Sequence, residues 1–153
     1  MSRLVLWATL PAAFAAGLLA AHMSESANAA TAAALKPQII DVGAMTDADL
    51  GAIIPKLGTL RVKMLVTTPG GTIAVQTGDV PKHMHKSSDE IQYIVSGSGT
   101  FWLGDKQRHI HAGDLIVIPK GTPHSGSHAT TGEFKAISIK LPPAVAGDYH
   151  PVK

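Results

Sequence analysis

The sequence predicts an all-β domain, a sandwich or barrel preceded by one short helix. Two observations carry this. Leu60, Val62, Met64 and Val66 alternate with Arg61, Lys63, Leu65 and Thr67, and a repeat of two marks a half-buried strand. Further short β-rich runs follow at regular spacing, separated by glycine- and proline-containing turns, which is the pattern of sandwiches and barrels.

Before the domain comes a segment of different character. The chain opens Met1-Ser2-Arg3, continues with an apolar run from Leu4 to Ala21, and leaves it through polar residues to Ala27-Asn28-Ala29. A charged start, an apolar middle and a small-residue exit describe a secretory signal peptide. Residues 1–29 are therefore expected to be removed, with cleavage after Ala29, or after Ala21 as the alternative. A retained membrane anchor is the competing reading; Pro11, Gly17 and the many alanines weaken it. The expected location is periplasmic or extracellular, with membrane contact only before cleavage.

Residues 30–57 read as a leader with a short helix. Thr46 followed by Asp49 resembles an N-cap with an acidic first turn, and a helix from Asp47 to Ile54 would end before Pro55. The barrel is expected over residues 58–141. After the first strand, Pro69-Gly70-Gly71 is a turn signal. Strands are then expected at Thr72–Thr77, Ile91–Val95, Thr100–Leu103, Leu115–Ile118 and Lys135–Leu141. Gly97, Gly99, Gly104-Asp105, Ala112-Gly113-Asp114 and Lys120-Gly121-Thr122-Pro123 punctuate them. Residues 142–153, with Pro142, Pro143, Gly147 and Pro151, are expected to be an irregular tail.

Composition removes several function classes. The 153 residues hold 13 Lys and Arg against 11 Asp and Glu, and no basic block offers a footprint for nucleic acid. There is no cysteine, which excludes a disulfide framework, a thiolate nucleophile, a Cys-ligated metal and a lipidated cysteine.

The histidines carry the chemistry. His83 and His85 are separated by one residue, so on a strand both imidazoles point to one face and can reach one cation. Glu90 adds a carboxylate five positions on, and His124 follows a Pro-Lys-Gly-Thr-Pro turn. For any one histidine a surface position is the bland alternative.

The stretch from Gly78 to Gly97 reads G-x4-HxH-x4-E-x6-G, and that from Gly113 to His128 reads G-x5-P-x-G-x2-H-x3-H. In this order and spacing they resemble the two motifs of the cupin superfamily, small single-domain cupins in particular. There are two departures: one residue fewer between Gly78 and His83, and His128 where the family usually has Asn. The resemblance implies an antiparallel jelly-roll (double-stranded β-helix) barrel. It also implies His83, His85, Glu90 and His124 as ligands of one divalent metal. Gly97 and Gly113 would serve tight turns or close backbone approach, and Pro119 and Gly121 would turn the chain so that His124 re-enters the barrel.

Imidazoles suit Zn, Cu, Fe and Ni, and the carboxylate extends the choice to Mn; Fe or Mn is favoured here. Four protein ligands on an octahedral ion leave two positions for a small oxygenated ligand or substrate. Strand parity from Glu90 puts Gln92 and Ile94 on the ligand face, where Gln92 is a candidate for orienting substrate. His128, an even offset from His124, is a candidate base or substrate contact. Tyr93 is read as a packing residue, and of the neighbours Phe101 and Trp102 one should point in. Ile110 should point inward and leave His109 and His111 outside. Lys82, beside His83, would attract an anion if it faced the site.

Three functions compete. The first is a metal-dependent enzyme, a dioxygenase, lyase or isomerase of the cupin type. The second is a non-catalytic module that binds or senses a small ligand or the metal. The third is a partner protein that forms a homodimer through its outer sheet, for which Leu65 on the polar side of the first strand is a hint. An acid–base group within reach of the metal would favour the enzyme.

Overall fold

The structure is a computed structural model and describes residues 34–153. The expected signal peptide, residues 1–29, lies outside them.

The expected helix, α1 (Asp47–Leu50), is shorter than predicted. The Asp49 carboxylate accepts from both the backbone N–H and the hydroxyl of Thr46. Gly51, at φ 91°, ends the helix by donating to the Asp47 carbonyl. Ile54 instead precedes a short 3-10 turn at Pro55–Leu57. This N-terminal segment is pinned to the barrel. The Lys135 ammonium donates to the carbonyls of Val42, Gly43 and Met45, and Arg61 pairs with Asp47 and donates to the Gly51 carbonyl.

Among the described residues eight strands follow: β1 (Arg61–Thr68), β2 (Gly71–Thr77), β3 (His83–Met84), β4 (Asp89–Leu103), β5 (Lys106–His111), β6 (Leu115–Ile118), β7 (His124–Leu141) and β8 (His150–Pro151). All pairings are antiparallel. Two long strands, β4 and β7, pair along most of their length. Their halves rich in isoleucine are flanked by β6 and by β2–β1, and their other halves by β5 and by β3–β8. Strands that pass from one layer to the other make the jelly roll.

The runs expected at Ile91–Val95 and Thr100–Leu103 are thus one strand, and Lys135–Leu141 is the end of a longer one. Gly97 and Gly99 do not interrupt β4; they let it bend against β7. Gly97 sits at φ 83°, where a Cβ would lie 2.4 Å from the Glu133 carbonyl oxygen, and a Cβ on Gly99 would lie 2.1 Å from that of His128. Gly113, at φ 97° with open space around it, serves a turn.

The alternation expected along β1 is broken by a bulge at Leu65, which has no partner between Met64↔Ala74 and Val66↔Ile73. Val62 and Met64 stand opposite Gln76 and Ala74, and beyond the extra residue Val66 stands opposite Ile73; Met64 is half exposed and Val66 partly buried, so the two-residue repeat does not mark a buried face here.

Ile94, Phe101, Ile110, Ile116, Ile118, Phe134 and Ala136 fill one end of the barrel as a single apolar cluster. The other end holds buried polar groups: His83, His85, Glu90, Gln92, His124 and Ser138. Phe101 is the inward ring of its pair, and Ile110 is buried between two exposed histidines. At the polar end the usual pattern is inverted. Ala136, Ser138 and Lys140 take the inward parity, while Ile137 and Ile139, only partly buried, and the exposed Leu141 take the outward one; Tyr93, Leu115 and Val117 are exposed too.

Candidate metal centre

His83 and His124 are direct partners in the β3–β7 register. His85 follows β3 immediately, and its backbone carbonyl accepts from Gly121 N–H over 2.6 Å, which ties the His85 loop to the turn before His124. In that turn Thr122 N–H donates to the Pro119 carbonyl. Glu90 enters from β4. One nitrogen or oxygen of each of the four side chains lies within 4.8 Å of the others, and all four residues are buried.

The three imidazoles are oriented from behind. Nδ1 of His83 donates to the Pro81 carbonyl over 2.8 Å, Nδ1 of His124 to the Thr122 carbonyl over 2.8 Å, and Nδ1 of His85 to the Asp148 carbonyl. A carbonyl only accepts, so each Nδ1 carries a proton, and in the neutral ring that leaves the Nε2 lone pair facing the site. Burial and the neighbouring His124 push the His83 imidazole down to about 3, so it is neutral near pH 7.

Glu90 divides its two oxygens. Oε1 accepts from Ser138 Oγ over 2.6 Å and from Gln92 Nε2 over 3.0 Å. Oε2 lies 3.2 Å from Nε2 of His85 and 3.2 Å from Nε2 of His124. Among the described residues neither Oε2 nor His124 Nε2 has a hydrogen-bond partner, although both are buried. Burial by itself would raise the Glu90 carboxyl; the approach of His124 and His85 and the Lys140 ammonium outweigh it and hold the group well below the usual carboxylate range.

These features fit a cation. Buried polar atoms without partners are costly, and here they converge on a common point instead of on each other. Around a metal with bonds of about 2.0–2.1 Å, adjacent ligand atoms sit roughly 3.0–3.4 Å apart, the spacing seen between Glu90 Oε2 and the two imidazole nitrogens. The chain therefore carries a buried three-histidine, one-glutamate group that could bind a metal.

The group opens on a cavity of about 180 Å³, walled by Leu57, Leu60, Val80 and Val145 on its apolar side. Tyr149 stacks on His83, with ring centroids 4.4 Å apart, and burial raises its phenol. Asp148, besides taking the His85 proton on its carbonyl, accepts from the backbone N–H groups of Lys86 and Ser87 on its carboxylate. Burial works to raise that carboxyl, and these two N–H groups overcome it and lower it.

Gln92 does reach the site, but as a support for Glu90. His128 does not: its side chain is 76% exposed and lies 3.6 Å from the Asp79 carboxylate. Between Ser125↔Trp102 and His128↔Thr100 β7 carries one extra residue, where Ser125 and Gly126 adopt positive φ, and this takes His128 off the face that His124 presents to the site. Lys82 is also elsewhere, with its ammonium 4.5 Å above the Trp102 ring. Tyr93 points outward. Sequence reasoning missed Ser138, Lys140, Asp148 and Tyr149. The first two follow by parity from Ala136 once that residue is known to face inward; no sequence signal marks the tail residues.

Comparison with known proteins agrees with the geometry. Residues 71–140 match the family model described as a cupin domain, and the chain belongs to the cupin superfamily. An acireductone dioxygenase of Gluconacetobacter diazotrophicus is 34% identical over 102 residues, 58% of this chain and 56% of that protein. An uncharacterised protein of Methanocaldococcus jannaschii is 34% identical over 61 residues, 40% of this chain and 49% of its own length. The chain thus spans about half the length of these curated relatives. Two solved structures share the fold. A Klebsiella pneumoniae protein with a double-stranded β-helix domain has a TM-score of 0.60 at 19% identity, covering 77% of this chain and all (100%) of that one. KdgF from Halomonas sp. has a TM-score of 0.56 at 22% identity, covering 71% and 94%.

Proposed function

We propose that this chain is an exported, metal-dependent cupin enzyme that carries out an oxidative or lyase-type reaction on a small oxygenated compound. The observation that carries the reading is the convergence of three Nε2 lone pairs and Glu90 Oε2 on one buried point beside a cavity. His83, His85, His124 and Glu90 would hold one divalent ion, with iron or manganese favoured by the nitrogen–oxygen donor set. Such an ion supplies Lewis acidity and, if iron, a centre for O2 chemistry.

The chain's own residues do the rest. Gln92 and Ser138 hold Glu90 so that only Oε2 faces the site. Leu57, Leu60, Val80 and Val145 exclude water from one side of the cavity, whose size suits a small molecule. Lys140 places a proton-bearing group at the mouth of the site, 2.9 Å from His85 Nε2, which favours an enzyme over a passive carrier. The similarity to acireductone dioxygenases supports the oxidative arm. Export rests on the pattern of residues 1–29.

The test is elemental analysis of the protein purified without a histidine tag, beside a His83→Ala/His85→Ala variant, followed by oxygen-uptake screens of small oxygenated acids and enediols. About one iron or manganese per chain, lost in the variant, is expected. A native protein that carries no metal and takes none up would sink the reading. The N-terminal sequence of secreted material, expected to begin at Ala30, tests export.

A further inference from the structure

Lys140 is the unusual member of the cavity. It lies opposite Glu90 in the β4–β7 register and opposite Thr72 in the β2–β7 register, and its side chain follows the inward parity of Ala136 and Ser138. The side chain is 21% exposed, so the ammonium is largely withdrawn from water. It sits 2.9 Å from His85 Nε2 and 3.8 Å from Glu90 Oε2. The one other carboxylate of the cavity wall, Asp148, is already engaged by the Lys86 and Ser87 N–H groups. Among the cavity residues Lys140 thus has only Glu90 as a carboxylate partner, at 3.8 Å, and shares it with His85 and His124.

A bound cation would use the very atoms that Lys140 approaches. The His85 lone pair and Glu90 Oε2 would be given to the metal, and the ammonium would lose its acceptor while facing a like charge. The charge balance is then simple: a divalent ion and Lys140 bring three positive charges against the two negative charges of Glu90 and Asp148, and the imidazoles, as metal ligands, are neutral. A half-enclosed pocket with such an excess of positive charge demands an anion with oxygen donors. An ammonium beside the metal is placed to hold the second charged oxygen of a molecule whose first oxygen reaches the ion.

We propose that Lys140 is a substrate-binding residue, and that the site selects small anionic compounds with oxygen donors on adjacent carbons, such as 2-hydroxy acids, 2-keto acids or enediolates. This rests on the metal reading above and adds the substrate's charge to it.

The test uses the manganese-loaded protein and two probes of the same shape, lactate and its uncharged amide, with oxalate as a stronger anion. Binding is followed by calorimetry and by the manganese electron-spin signal. Lys140→Met should weaken oxalate and lactate at least tenfold and leave lactamide within about twofold. Lys140→Arg should restore most of the anion affinity. Manganese should bind Lys140→Met as tightly as wild type or more tightly, because a neighbouring positive charge has been removed. If manganese stays bound and the variant takes up oxalate as wild type does, Lys140 is not the anion's partner and the inference fails alone. If wild-type protein takes up neither manganese nor iron, the metal reading fails and this one with it.

Discussion

The Ser138 hydroxyl donates to Glu90 Oε1 over 2.6 Å, from a strand that the sequence alone would place with Ser138 on either face. With Gln92 it leaves Glu90 a single free oxygen aimed at the histidines. Groups that orient metal ligands in this way are worth about 10–100-fold in metal affinity. Gln92→Leu and Ser138→Ala should each lower manganese affinity by about that factor, measured by competition with a chelator. The double variant should approach the loss seen on removing a ligand. Unchanged affinity in both would mean that Glu90 needs no support.

The tail has a comparable role at His85. Asp148 accepts from His85 Nδ1 on its carbonyl and from two backbone N–H groups on its carboxylate, and β8 pairs with β3 beside His83. A chain ending at Pro143 should keep its β-rich circular dichroism, because the apolar cluster is elsewhere. Its metal affinity should fall by about 10–100-fold. Retained affinity would show that the tail is dispensable.

Acid should destabilise the chelator-treated protein. The His83 imidazole is depressed to about 3 from 6.5, so between these values the unfolded chain binds a proton that the folded chain refuses. Glu90, held low, acts in the same direction below its ordinary range. Stability should thus be full above about pH 6.5 and fall as pH drops toward 3, by up to about 1.4 kcal/mol per pH unit for each proton difference. Urea midpoints across this range should show a shallower slope in His83→Gln than in wild type.

Gly97 tests the bend of β4. A Cβ there would meet the Glu133 carbonyl at 2.4 Å in a left-handed backbone, so Gly97→Ala should cost at least about 1–2 kcal/mol, read from urea unfolding. His128→Ala, on the exposed side of the barrel, should change stability by less than about 0.5 kcal/mol and leave metal content untouched.

Local pattern determined much of this protein. The period-two runs and the glycine–proline turns made the chain β, and the spacing of His83, His85, Glu90 and His124 marked the site, because each depends on few neighbours. Tertiary structure decided which face was which. Along the end of β7 the apolar Ile137 and Ile139 look like the core face, yet Ser138 and Lys140 are the ones turned inward. Parity says only that two residues share a face, not which face is buried. Bulges then reset the parity at Leu65 and between Ser125 and His128, breaking the alternation along β1 and moving His128 out of the site. The tail's Asp148 and Tyr149 reached the histidines only through long-range packing, which a spacing rule along the chain does not encode.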